Sequence, residues 1–163
     1  MNPFKPAMPS TAVTIKPRSA KPNAMQRAYG AGFADGEGCI QIIKQEVEGR
    51  RKPTYRLRFE VMQNDFATLE NFVHCVGVEA KIRQVKRDDS QNRQVWRLAY
   101  DGLQAYQVIR RLQPYLVRKG AEARVASEFV VKGRISLHPG PKGTPERLWK
   151  VREACFRKLR KLK

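Results

Sequence analysis

The segment that most constrains this chain is the run 29–38, in which four glycines and two carboxylates follow a short apolar helix pattern. An alternating, strand-like run begins immediately afterwards, at Cys39. A glycine inside a helix costs about 1 kcal/mol relative to alanine, so Gly30 and Gly32 need a compensating close contact. Small residues four apart share one helical ridge, which predicts that another helix packs closely here. We expect that contact face to contain Ala28, Ala31, Gly32 and Asp35.

The two carboxylates stand at the end of this predicted helix. The helix dipole is already negative there, and no lysine or arginine follows Asp35 and Glu37 until Lys44. A bound cation would relieve this repulsion. Oxygen-rich sites with one or two carboxylates and open positions suit Mg²⁺, so the segment predicts a magnesium site.

Periodicity predicts helix 24–35, strands 39–48 and 54–63, helix 66–76, strands 78–86 and 93–100, and helices 102–112, 115–133 and 144–163. Hairpins alternate with helices and no strand-helix-strand crossover occurs. This order favours an α+β fold with an antiparallel sheet and helices on one face. The Pro-rich, basic segment 1–24 is expected to be a disordered arm, 25–135 the core, and 136–163 a loop and basic helix that pack on the core.

The formal net charge of +18 predicts a polyanionic partner, because most of the surface must be cationic. No run approaches the roughly 20 apolar residues of a membrane-spanning helix, so we expect no membrane partner. Three widely spaced cysteines predict an intracellular, reducing compartment, which leaves the bacterial cytoplasm and an organelle (mitochondrion or chloroplast) open.

The run 30–38, Gly-Ala-Gly-Phe-Ala-Asp-Gly-Glu-Gly, resembles the LAGLIDADG motif of homing endonucleases, with glycine in place of the usual first leucine. The predicted element order is also similar to that family's αββαββα core. The resemblance implies a single-motif member that works as a homodimer, with Ala28, Ala31, Gly32 and Asp35 at the interface. It implies Mg²⁺-dependent hydrolysis of both strands of a long, pseudo-palindromic DNA site, and Mn²⁺ is a possible substitute.

The resemblance also implies roles for individual residues. Glu37 matches the family's metal ligand, joined by the Gly36 carbonyl, and Asp35 matches the second motif acid near the metal. Gln63 resembles the polar residue that orders active-site water, and Lys119 the lysine that supports charge on the phosphate. The family's active-site arginine has no clear match here, and Arg118 is the candidate substitute.

The outward side of the strands is cationic, and a two-stranded ribbon fits the major groove of DNA. There arginine can reach guanine edges and glutamine can reach adenine edges. Basic residues in turns are expected to contact phosphates. The predicted DNA-binding residues are Gln41, Ile43, Gln45, Arg50, Arg51, Thr54, Arg56, Arg58, Glu60, Lys81, Arg83, Arg93 and Arg97. One alternative function is an RNA-binding maturase, a splicing cofactor with intron RNA as its partner; the retained acids favour cleavage.

Overall fold

The computed structural model describes residues 11–85, 94–136 and 142–163. Within those ranges no helix is both long and apolar enough to cross a lipid bilayer. A short 3₁₀ turn, Gln113–Tyr115, joins two of the helices. The elements in chain order are β1 (Ala12–Ile15), α1 (Ala24–Glu37), β2 (Gly38–Gln45), β3 (Thr54–Gln63), α2 (Phe66–Val76), β4 (Ala80–Val85), β5 (Val95–Asp101), α3 (Gly102–Leu112), α4 (Gly120–Lys132) and α5 (Glu146–Lys161).

The five strands form one antiparallel sheet in the order β1-β4-β5-β3-β2. Alternate residues of β3 are buried, from Tyr55 to Val61, and the side chains between them lie on the opposite side. The buried side packs against the helices around Phe72, Ile109 and Phe129. This architecture confirms the predicted α+β class with an antiparallel sheet.

The prediction of a disordered arm over 1–24 is wrong for its second half, and residues 1–10 lie outside the described ranges. β1 pairs with β4, and Val13 lies opposite Ile82. Ile15 is buried in the core, and the Arg18 N–H donates to His74 Nδ1 at 3.3 Å. Four residues between prolines carry too weak a pattern to predict a strand. The free edge of β4 supplies the hydrogen bonds that stabilise it.

Helix α1 runs directly into β2 without an intervening loop, and this junction depends on Gly38. A Cβ at Gly38 would lie 2.7 Å from the Ala34 carbonyl oxygen and 2.9 Å from Phe59 Cζ. Real side chains do not approach backbone that closely, so only glycine fits without a backbone shift. The junction therefore places Glu37 directly before the first residue of a sheet strand.

The predicted helix 115–133 begins later than expected, at Gly120. After Pro114 the chain leaves the helical conformation, and Leu116 is extended. The Asp35 carboxylate of α1 holds this connection: its Oδ2 accepts from the Val117 N–H at 2.7 Å and its Oδ1 from the Lys119 N–H at 2.9 Å. Tertiary hydrogen bonds have thus replaced the first turn of the predicted helix.

Helix α5 packs along β2 and α4, and one of its carboxylates contacts the sheet. Glu153 is buried, accepts from the Tyr55 hydroxyl and the Arg157 guanidinium, and pairs with Lys44 at 3.3 Å. The pKa of Glu153 is lowered to about 2, and the hydrogen bond from Tyr55 is the largest cause. The helix begins at Glu146, two residues later than predicted, and Thr144 Oγ1 accepts from the Arg152 guanidinium.

Gly77→Ala should strongly destabilise the fold, because this glycine closes α2 at a φ of +68° against the N-terminal segment. A Cβ there would lie 2.6 Å from Pro22 Cδ and 2.9 Å from the Ser19 carbonyl oxygen. Gly49→Ala is the matched control, since Gly49 has a φ of +77° and nothing within 4 Å. Chemical denaturation should show a loss of about 1 kcal/mol for the control and about 1–3 kcal/mol more for Gly77→Ala. Equal losses would contradict the packing of residues 19–22 on α2.

Asp35→Ala should destabilise the chain by about 2 kcal/mol or more, because two backbone N–H groups lose their acceptor. Glu48→Ala is the control, since Glu48 is an exposed acid in the β2–β3 turn. Denaturant unfolding should show no more than about 0.5 kcal/mol of change for the control. An Asp35→Ala protein as stable as the wild type would show that the connection to α4 does not need this carboxylate.

Candidate active site and nucleic-acid interface

Two of the predicted catalytic residues lie at the corner where α1 meets the sheet. Glu37 is exposed, and its carboxylate makes no hydrogen bond or ion pair with any residue that the structure describes. Gly38 pairs with Val61 across β2 and β3, so Gln63, two residues further along β3, lies beside the end of α1. The register thus places Gln63 near the end of α1, where its Oε1 accepts from the Asn64 N–H at 3.2 Å.

Lys119 joins the same corner through Asp35. Its side chain is only 6% exposed, and its Nζ donates to the Asp35 carbonyl oxygen at 2.6 Å. Partial burial alone would raise the pKa of Asp35, but the backbone N–H groups of Val117 and Lys119 outweigh it, so the pKa lies below its usual value. Asp35 is therefore ionised and engaged on both oxygens, and Lys119 is held in place.

The donor set at this corner is small. No group of three or more His, Cys, Asp or Glu side chains that could hold a metal occurs in the described ranges. Glu37 fits a cation, because it is an exposed, unpaired carboxylate in a last helical turn without a basic residue. The Gly36 carbonyl is a second possible oxygen ligand. The remaining ligands must be waters, phosphate oxygens or groups of a second protein chain.

One face of α1 is exposed and consists of small and apolar residues, which we call the α1 stripe: Met25, Ala28, Tyr29, Gly32 and Gly36. Met25 is 82% exposed, and a Cβ at Gly32 would meet nothing within 4 Å. The expectation that Ala31 shares this contact face is wrong, because Ala31 is completely buried within its own chain. Gly30 also packs internally, since its Cβ would lie 3.3 Å from Leu112.

The predicted DNA-binding side chains of the strands occupy one side of the sheet, which we call the open face. Cross-strand pairs such as Gln41 with Arg58 and Arg83 with Arg97 show that these residues share that side. Arg50 and Arg51 lie in the turn between β2 and β3, and Arg93 falls outside the described ranges. The open face contains Gln41, Ile43, Gln45, Thr54, Arg56, Arg58, Glu60, Lys81, Arg83 and Arg97.

The arginines of the open face are partly paired with carboxylates of the same face. Asp101 accepts two hydrogen bonds from Arg58, at 2.8 and 3.1 Å, and lies 3.4 Å from Arg56. The Arg58 hydrogen bonds lower the pKa of Asp101, and Asp101 in turn raises the pKa of Arg58. Asp101 immediately precedes α3, but its side chain makes no cap there. The pairing fixes the direction of the Arg58 side chain.

The C-terminal residue reaches the edge of the open face, which sequence analysis did not predict. Lys163 Nζ donates to Cys39 Sγ at 3.0 Å, and Gln41 Nε2 donates to the same sulfur at 3.2 Å. Cys39 lies two residues after Glu37. The sequence signal was only a basic run at the chain end, which by itself indicates a solvated helix as readily as a contact surface.

Three comparisons with known proteins were made. The LAGLIDADG endonuclease family model matches residues 31–120, and no curated protein matches the chain. Among solved structures, the homing endonuclease I-CvuI in complex with the I-CreI target in the presence of Mg is 22% identical. The match has a TM-score of 0.54 and covers 83% of this chain and 94% of the I-CvuI chain.

Two further structures have the same fold. The archaeal intron-encoded homing endonuclease I-Vdi141I, complexed with DNA, is 13% identical with a TM-score of 0.66 and covers 85% of this chain and 84% of its own. I-SmaMI, bound to uncleaved DNA with calcium ions, is 16% identical with a TM-score of 0.57, and the match covers 80% of this chain but 43% of I-SmaMI. At identities this low, the likeness to these structures shows similarity of fold alone. The family model spans more than half of the 163 residues. Sequence and fold together show that the chain belongs to the LAGLIDADG endonuclease family.

Proposed function

We propose that this protein is a site-specific DNA endonuclease that acts as a homodimer with Mg²⁺ and cuts both strands of a long, pseudo-palindromic site. One observation carries the proposal: the exposed, unpaired Glu37 carboxylate directly precedes the strand that begins the cationic open face. A duplex on that face would bring a backbone phosphate to the same corner. Similar proteins were crystallised with DNA and with Mg or calcium, which supports the choice of substrate and cation.

Each residue at the corner has a separate role in phosphodiester hydrolysis. Glu37 and the Gly36 carbonyl would hold Mg²⁺, which supplies Lewis-acid activation of water and charge neutralisation at the phosphate. Gln63 orients the attacking water through its carboxamide. The Lys119 ammonium lies just below the corner and stabilises the negative charge that develops on the phosphate.

The structure supports a different role for Asp35 from the catalytic and metal-binding one. Both of its oxygens already accept backbone N–H groups, and its carbonyl oxygen accepts from Lys119. We propose that Asp35 positions Lys119 and that Glu37 is the only motif carboxylate on the metal. The arginine that completes the family's site stays without a match, and Arg118 is exposed beside the connection that Asp35 holds.

The α1 stripe supports the proposed homodimer. One chain contributes one Glu37, and cleavage of two strands requires two such acids close together. The stripe exposes apolar side chains beside glycines, which allows a second helix to approach closely. The match to 94% of I-CvuI but only 43% of I-SmaMI is consistent with two copies of this fold forming the larger unit.

Glu37→Gln should abolish cleavage and leave DNA binding within about threefold, because the amide keeps the shape but removes the charge that holds the cation. Purified protein and Mg²⁺ would be incubated with a randomised duplex library, and the cut ends sequenced. We expect cleavage to fall about 1000-fold or more, while Glu48→Gln, the control in an exposed turn, cuts normally. Wild-type cleavage by Glu37→Gln would refute the role of Glu37. A wild-type protein that binds but never cuts would favour the maturase alternative.

Gly32→Leu should prevent dimerisation without damaging the subunit. Within one chain the new side chain enters open space. In the dimer, two copies of it would occupy the contact between the paired α1 helices. We expect self-association to weaken about 100-fold. Ala154→Leu, which also introduces a leucine side chain but on the exposed side of α5, is the control. Sedimentation would measure the dimer constant, and an unchanged dimer of Gly32→Leu would exclude the α1 stripe as the interface.

A further inference from the structure

A cationic cleft lies outside the candidate active site, between the β2–β3 turn and the start of α5. Its volume is about 580 Å³. Five basic side chains contribute to its lining, together with Trp149, and no carboxylate does so among the described residues. The basic residues are Arg50, Arg51, Lys52, Lys142 and Arg152.

Arg152 is a half-buried cation of this cleft, and it has no counter-ion in the part of the chain that the structure describes. Its Nε donates to the Gly133 carbonyl at 2.9 Å and its Nη2 to the Arg134 carbonyl at 3.1 Å. Its Nη1 lies 3.4 Å from Thr144 Oγ1. All three acceptors are neutral. Burial lowers the pKa of Arg152, and no carboxylate counters this effect. A half-buried guanidinium in this state gains from an added anion.

Two further features of the cleft provide donors rather than acceptors. The Trp149 Nε1–H is buried and has no acceptor among the described residues. Helix α5 begins at Glu146 after Pro145, and no side chain caps it, so its first N–H groups add positive potential. Glu146 is half exposed and paired with Lys52, and none of the other four basic side chains is paired with an acid among the described residues.

The same features favour a phosphate over a nucleotide base. Base binding would need a free aromatic ring face. Lys52 Nζ lies 5.1 Å from the centre of the Trp149 ring. The centre of the Tyr55 ring lies 6.3 Å from the centre of the Trp149 ring. These two side chains occupy the ring, and what the cleft presents to a ligand is the positive charge of its basic side chains.

We propose that this cleft binds a backbone phosphate of the DNA duplex, beyond the part of the duplex that the open face reads. Thr54 belongs both to the open face and to the lining of the cleft, so the two surfaces adjoin. A duplex that continues past the β2–β3 turn would carry its phosphates to the cleft. The contact is independent of base sequence and lengthens the bound site. This inference rests on the proposed binding of DNA, but not on cleavage.

The test is the salt dependence of DNA binding in the absence of divalent cations, so that cleavage plays no part. Each phosphate neutralised contributes about 0.9 to the slope of log K against log salt. Arg152→Met should lower affinity for a long duplex about tenfold and reduce the slope by about one. Arg50→Gln and Lys142→Gln, at exposed positions, should act in the same direction if Arg152→Met does not fold. Arg124→Gln, an exposed cation of α4 outside the cleft, is the matched control.

A second arm separates DNA phosphate from free phosphate. On a duplex truncated to the open face, Arg152→Met should bind as well as the wild type. Inorganic phosphate at millimolar concentration should not raise the melting temperature of the wild-type protein appreciably. Unchanged slopes in all three cleft variants would overturn the proposal. Unchanged slopes with strong stabilisation by inorganic phosphate would identify a free anion as the ligand, which also overturns the DNA assignment. Glu37→Gln that fails to cut but retains these slopes would separate this site from the catalytic proposal.

Discussion

The close contact of Gly38 with the Ala34 carbonyl and the Phe59 ring is the constraint on which the rest of the structure depends. It lets a helix become a strand without a loop. The helix tip and the sheet are then joined directly, and the backbone of Glu37 is fixed beside the open face. Rigid support of this kind is what a catalytic group requires, because small displacements of a reacting group cost large factors in rate. The same junction orients the α1 stripe, so the proposed catalytic site and the proposed dimer interface are geometrically linked.

Electrostatics organises the remainder of the molecule. A chain of net charge +18 cannot spread its cations at random without weakening the compact state. On the open face Asp101 and Glu60 lie among three arginines, and the fork from Arg58 to Asp101 fixes one of them before DNA arrives. Pre-orientation lowers the entropy lost on binding. By contrast, within the described ranges Arg152 has only neutral acceptors, which is the arrangement expected where an external anion completes the structure.

Much of the fold was predictable because its signals are local. The alternation in β3 and the left-handed glycine that ends α2 are sequence patterns with direct geometric meaning, and their predicted bounds agree closely with the structure. Errors occurred where a distant group decided the outcome. β1 exists because β4 offers a free edge, and the first turn of the predicted helix 115–133 is lost because Asp35 binds its backbone. Whether Gln63 and Lys119 act in catalysis stays a prediction, although the structure brings both to the corner.

The sequence by itself determined the class of fold, the side of the sheet that faces outward, and the position of two acids at a helix end, because periodicity and capping act over a few residues. The tertiary structure decided which of those acids is available: Asp35 is used to hold the chain before α4, and Glu37 is left exposed. It also decided that Ala31 is internal and that Arg152 lacks a counter-ion among the described residues. The physical reason is that hydrogen-bond partners and burial are properties of segments far apart in the chain, and only packing brings them into contact.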